Sequence, residues 1–143
     1  MSWSSQLRAW LADRFYRKKS LGERGEDAAA RFLKRQGYTI LERGHDSRLG
    51  ELDIIAVDDR TIVFVEVKTR TSDGAGRPTE AVDDRKQRRM TQAALGYLKA
   101  KRLLENAARF DVVAVTWPTN ERTPIIEHYK NAFSPVGSWQ FFS

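Results

Sequence analysis

The stretch that most constrains what this chain can fold into runs from Gly50 to Arg70, GELDIIAVDDRTIVFVEVKTR. It reads as two strands joined by a tight turn. With Asp59-Arg60 as a two-residue turn, Asp58 sits opposite Thr61, Asp53 opposite Glu66 and Glu51 opposite Lys68. Alternation along each strand then places Glu51, Asp53, Glu66 and Lys68 on one face. Leu52, Ile54, Ala56, Val63, Val65 and Val67 fall on the other. Two carboxylates facing each other across a sheet, with Cβ atoms about 5 Å apart, repel. Two compensations are open: a divalent cation held by oxygen ligands, or a structural ion cluster completed by Lys68. A three-residue turn would send Asp53 and Glu66 to opposite faces.

The 143 residues suit one domain with its own core. There is no cysteine, so neither disulfides nor thiolate metal sites enter. No apolar run approaches the roughly 20 residues that span a bilayer, and no continuous apolar signal segment stands near the start. The expectation is therefore a cytoplasmic protein without a membrane span. A net charge of +6 favours anionic partners, nucleic acid first and a membrane surface second.

Residues 5–18 carry Leu7, Trp10, Leu11 and Phe15 at helical spacing with basic residues between, a basic amphipathic helix. Residues 1–19 are read as an N-terminal extension. Ser20-Leu21-Gly22-Glu23 is a capping box that opens a helix to about Gln36, with Gly37 as its terminating glycine. That helix packs through Leu21, Ala28, Ala29, Phe32 and Leu33, and Glu26 sits at the margin of the apolar side. Tyr38 to Arg43 reads as an edge strand. Gly44 to Gly50 reads as a polar loop, with His45 either an exposed loop histidine or a metal or phosphate contact.

Beyond the hairpin, the glycine-rich Thr71–Thr79 is a candidate mobile loop. A second helix starts near Asp83 and buries Val82, Met90, Ala93, Ala94, Tyr97 and Leu98. Its first turns hold Arg85, Lys86, Arg88 and Arg89, cations placed against the helix macrodipole. With Arg70 and Arg77 they are the candidate nucleic-acid contacts, set against the alternative of a solvated basic face. Strands follow at Arg109–Thr116 and Ile125–Tyr129. Residues 134–143, with Trp139, Phe141 and Phe142, form an aromatic tail. The order of helix, three strands, helix and two strands predicts an α/β domain over residues 20–133, a mixed central β-sheet flanked by helices.

Asp53 and Glu66, with the carbonyl oxygen of Val67, form an oxygen set able to hold Mg2+ (or Mn2+). Lys68, two residues after Glu66, points the same way and suits orienting water or neutralising developing charge. These are the parts of metal-assisted phosphodiester hydrolysis. The pattern Asp53 followed by Glu66-Val67-Lys68 resembles the PD-(D/E)xK nuclease superfamily. More closely, the chain resembles the YraN-type family of endonuclease-like proteins, similar in fold to archaeal Holliday junction resolvases. The likeness rests on Gly25-Glu26-Asp27-Ala28-Ala29, Gly37-Tyr38-Thr39-Ile40-Leu41, Gly50-Glu51-Leu52-Asp53 and Phe64-Val65-Glu66-Val67-Lys68-Thr69-Arg70. It continues through Glu80-Ala81-Val82, Lys86 to Arg89 and Asn131-Ala132-Phe133, and so covers roughly residues 20 to 133.

The resemblance implies a restriction-endonuclease-like core, Asp53 and Glu66 as metal ligands and Lys68 as the catalytic lysine. It adds Glu26, because the first-helix glutamate of resolvase-like members lies at the metal site. It implies DNA, branched DNA included, as the substrate, and a homodimer by analogy. Leu52 departs from the pattern, standing where the superfamily name places proline. A catalytically idle nucleic-acid-binding protein of the same fold is the alternative reading.

Overall fold

The structure, a computed structural model, describes residues 4–9, 19–71 and 82–136. Residues 5–9 are helical, with Leu7 exposed. The remainder of the N-terminal amphipathic stretch, Arg77 with nearly all of the glycine-rich loop, and the tail aromatics Trp139, Phe141 and Phe142 lie outside the described residues.

Helix α1 covers Leu21–Arg35. The Ser20 hydroxyl accepts from the Glu23 amide at 3.2 Å, satisfying one of the donors a helix start leaves unpaired. At the other end Gln36 caps the helix and Gly37 takes φ +94°, a conformation glycine adopts without steric cost. Gly25, Ala28, Ala29, Ala30 and Leu33 form its buried side. Small residues there let the helix lie close to the sheet.

The strands are β1 (Thr39–Ser47), β2 (Gly50–Asp58), β3 (Thr61–Arg70), β4 (Ala108–Thr116) and β5 (Ile125–Phe133), in the order β1-β2-β3-β4-β5. Only β3 and β4 pair in parallel. That pairing requires a crossover, and helix α2 (Asp84–Ala100) lies within it. The molecule is thus α/β with a mixed five-stranded sheet between two helices.

The central strands are buried on both sides, which explains their nearly continuous apolar sequence. Towards α1 lie Ile54, Ala56, Val63, Val65, Val113 and Val115. Towards α2 lie Leu52, Ile55, Ile62, Phe64, Phe110 and Val112. Phe64 and Phe110 are fully buried, each worth about 1.5–3 kcal/mol relative to exposure.

The hairpin register is the expected one: Asp58 pairs with Thr61, Val57 with Ile62 and Ile54 with Val65, with Asp59 in the turn at φ +56°. Three readings need correction. β1 does not stop at Arg43; it continues to Ser47, and the expected polar loop shrinks to the turn between Ser47 and Gly50, which pair. His45 is therefore a strand residue, half-buried edge-on against Tyr97 at 5.4 Å.

The third correction concerns the faces of the sheet. Leu52 packs with the α2-side core while Ile54 packs with the α1-side core, so Leu52 does not join Ile54 and Ala56. Across from them, Arg43 reaches α1 and His45 reaches Tyr97 on α2. Both strands reverse their facing at the level of Gly44 and Asp53, where Gly44 takes φ +60°. A glycine without Cβ absorbs that reversal on β1.

Candidate functional site

Beyond the Ile54–Val65 pair the recorded β2–β3 pairing ends. The backbone amide of Val67, which regular pairing would commit to a carbonyl, instead donates to Asp53 Oδ2 at 2.8 Å. Asp53 thus occupies the notch where the two strands part. A cavity of about 300 Å³ opens there, lined by Leu21, Gly22, Glu26, Asp53, Val67 and Thr69. It brings the start of α1 against β3. Gly25 makes that approach possible, because a Cβ there would stand 1.9 Å from Thr69 Oγ1.

Glu66 meets Asp53 from the α2 side. It continues the run of residues in β3 that are buried on both faces, and only 4% of it is exposed. One carboxylate oxygen, Oε1, lies 3.3 Å from Lys68 Nζ and 3.6 Å from Lys86 Nζ. The other, Oε2, is buried with no hydrogen-bond partner among the described residues. Lys86 is placed by the helix start. Asp83 caps α2 by accepting from the Lys86 amide at 2.8 Å, and the first turn then aims the ammonium back at Glu66.

Burial pushes the Asp53 carboxyl up to about 6, and the neighbouring Glu66 charge pushes the same way. The Val67 amide and the Lys86 charge oppose the rise. Burial also raises the Glu26 carboxyl against the pull of Arg43, and the Asp53 charge adds to the rise. Two acid groups close enough to share a proton mark a concentration of negative charge that the protein's own cations only partly relieve.

The structure brings Asp53, Glu66 and Lys68 together, as read from the sequence. Glu26 lines the same cavity, but its carboxylate is held by Arg43 Nε at 3.2 Å. Among the described residues no three His, Cys, Asp or Glu side chains gather into a ready ligand cluster. Val67 is at the site, engaged through its amide. Glu51 is not part of it: it is exposed, and the β2–β3 pairing ends at Ile54–Val65, short of Glu51 and Lys68. Of the basic residues, Arg85, Arg88 and Arg89 are exposed on α2, Arg70 is half-buried at the end of β3, and Arg77 is outside the described residues.

Lys86, a candidate nucleic-acid contact from the sequence, stands beside the acid pair, 3.6 Å from Glu66 Oε1. Its place as the third residue after the Asp83 cap sets that position. Nothing in the pattern singled out Asp111. It is fully buried on β4, receiving Arg109 Nε at 3.0 Å, His128 Nε2 at 2.8 Å and the Asn131 amide at 2.9 Å. Arg109 also reaches Asp58 at 3.0 Å and the Tyr38 hydroxyl at 2.7 Å.

The donor set fits a hard divalent cation: carboxylate oxygens only, an unsatisfied buried Oε2, and an adjacent carboxyl whose charge is disfavoured without help. The fold and this notch define an α/β protein with a mixed sheet flanked by helices, compatible with a restriction-endonuclease-like core. The model of the uncharacterised protein family UPF0102 matches residues 25–115. The chain belongs to that family, the YraN-like group it resembles in sequence. It is 47% identical to a UPF0102 protein of Rhodopirellula baltica over 96% of this chain and 86% of that one. It is 51% identical to a UPF0102 protein of Geobacter metallireducens over 80% of this chain and 93% of that one. Among the described residues no helix is long and apolar enough to cross a membrane.

Proposed function

We propose that this protein is a Mg2+- or Mn2+-dependent endonuclease that hydrolyses phosphodiester bonds in DNA, with branched and flapped DNA as candidate substrates. The observation that carries the reading is the unsatisfied, buried Oε2 of Glu66 beside the charge-disfavoured Asp53. Asp53 and Glu66 are the residues that would hold the ion, with Glu26 available once released from Arg43. A bound divalent cation supplies a water of lowered pKa and an electrophile for the phosphoryl oxygens. The Val67 amide holds the Asp53 carboxylate in place. Lys68, 3.3 Å from Glu66, carries a positive charge to the reacting phosphate and orients the attacking water. Lys86 is a second cation on the same side, suited to a phosphate oxygen. Arg70, Arg85, Arg88 and Arg89 would contact the backbone of the substrate.

A second reading is favoured by the same lysines. Lys68 and Lys86 together neutralise Glu66 without an ion, which suits a nucleic-acid-binding protein that does not cut. Calorimetry of Mg2+ and Mn2+ against the wild type and Asp53→Ala separates the two. The nuclease reading expects heat from the wild type only, and metal-dependent cleavage of duplex, flap or four-way-junction DNA lost in Glu66→Ala and Lys68→Ala. Equal heats, or cleavage that survives both substitutions, reject it. DNA binding with neither heat nor cleavage leaves the second reading standing.

A further inference from the structure

One edge of α1, at the margin of its buried side, carries Arg24, Arg31 and Arg35 at i, i+7 and i+11, one line along the helix. Ala28 stands between them at the same spacing. Arg31 and Arg35 line a concave site of about 250 Å³ with Ala28, Arg122, Thr123, Pro124 and Ile126. Arg24 lies with its guanidinium 4.7 Å above the Trp117 ring, and the Trp117 indole N–H donates to the Arg122 carbonyl at 3.3 Å. The turn between β4 and β5 is thereby tied to the helix, and three arginines converge on one cleft with a fourth at its end.

No carboxylate among the described residues pairs with Arg31, Arg35 or Arg122. Asp27, one turn before Arg31, is already taken by Lys19 and Arg43, each at 2.6 Å. Arg31 and Arg35 are like charges at i, i+4, a spacing that destabilises a helix. Three exposed guanidinia around a hollow, unpaired and mutually repelling, suit polyanion phosphates, which planar guanidinium groups bind in bidentate fashion.

The position of the cleft indicates which phosphates. Helix α1 begins at the acidic notch, where Leu21, Gly22 and Glu26 line the cavity of Asp53. The Trp117 amide donates to the Arg70 carbonyl at 2.8 Å, joining the arginine line to the end of β3. From Arg24 to Arg35 the line covers about 16 Å at about 1.5 Å per residue. With about 3.4 Å of duplex axis per phosphate on one strand, that spans roughly five phosphates. The geometry points to a second nucleic-acid contact, in which Arg24, Arg31, Arg35 and Arg122 hold the phosphate backbone of a strand leading away from the notch. This inference rests on the nucleic-acid reading of the Asp53–Glu66 site. It adds a contact surface on α1, separate from the one on α2.

The test is fluorescence anisotropy of a labelled DNA duplex with the full chain, at salt from about 50 to 200 mM. The wild type is compared with the triple substitution Arg31→Ala, Arg35→Ala, Arg122→Ala, and with Arg85→Ala, Arg88→Ala, Arg89→Ala on α2. The first triple should lose about tenfold or more in affinity and flatten the log–log salt slope by about 2 to 3, one phosphate contact per arginine. Replacing the same three by lysine should keep most of the slope. Unchanged affinity and slope in the first triple, with loss in the α2 triple, overturns the α1 contact and leaves the nucleic-acid reading in place. Failure of the wild type to bind DNA overturns both. All three α1-side residues are exposed, and thermal unfolding checks that the triple retains its fold.

Discussion

Asp53 and Asp111 lie on the two strands that flank β3, and the protein treats them in opposite ways. Asp111 is fully buried, yet its oxygens receive Arg109, His128 and the Asn131 amide. Burial pushes its carboxyl up, but His128, Arg109 and the Asn131 amide outweigh burial and hold it below the usual carboxylate range. Asp53 has one amide, from Val67, and a second acid beside it, and its carboxyl is pushed up to about 6. One aspartate is a finished structural joint. The other carries negative charge that folding leaves largely uncompensated, which is what the proposed metal ligand requires.

The largest test of this contrast is Asp111→Ala, which takes the shared acceptor from His128 and the Asn131 amide and leaves Arg109 with Asp58 and Tyr38 alone. The free energy of unfolding should fall by about 3–5 kcal/mol in urea titrations near neutral pH. The lowered native carboxyl makes its contribution full above the unfolded value and lost as pH falls, so the gap to wild type should shrink in acid. A loss under about 1 kcal/mol would mean the joint is not structural.

Gly25→Ala comes next. The added methyl meets Thr69 Oγ1 at 1.9 Å and two further Thr69 atoms at 2.7 and 2.8 Å, so α1 must move off β3. A loss of about 1–3 kcal/mol is expected in thermal or urea unfolding. Because Glu26 moves with the helix, any Mg2+ heat expected from the proposed site should weaken too, while the Asp111 joint stays intact. An unaltered heat would remove Glu26 from the site.

The third effect has the opposite sign. The native Asp53 carboxyl is raised, so stability is fully present below the unfolded value and is lost as pH rises through about 6. Asp53→Asn removes that loss. It should gain about 3 kcal/mol over wild type at pH 8, with the gain fading below about pH 4. Parallel stability curves for the two proteins from pH 4 to 8 would show that Asp53 is as well compensated as Asp111, and the contrast would collapse.

Much of this was legible beforehand for physical reasons. The capping box at Ser20, the stop at Gly37 and the cap at Asp83 are local chemistry, and each element begins or ends where its residues dictate. The Asp59-Arg60 turn set the register of the hairpin, and with it the approach of Asp53 to Glu66. The length of β1 was not legible, because Gly44, which reads as a loop residue, serves as a pivot inside a strand. The facing of Leu52 went with it, since alternation holds only while both partners stay regular. Asp111 was invisible because its partners come from positions 109, 128 and 131, brought together only by pairing of β4 with β5.

The sequence by itself determined the elements, their order and the identity of the acid pair with its lysine, because these follow from caps, turns and alternation within a few residues. Only the tertiary structure decided which charges remain unpaid: that Glu66 keeps one empty oxygen, that Lys86 leaves the surface for the notch, and that Arg31, Arg35 and Arg122 share a cleft. Electrostatic compensation depends on distances between segments far apart in the chain, and those distances exist only once the sheet and its two helices have packed.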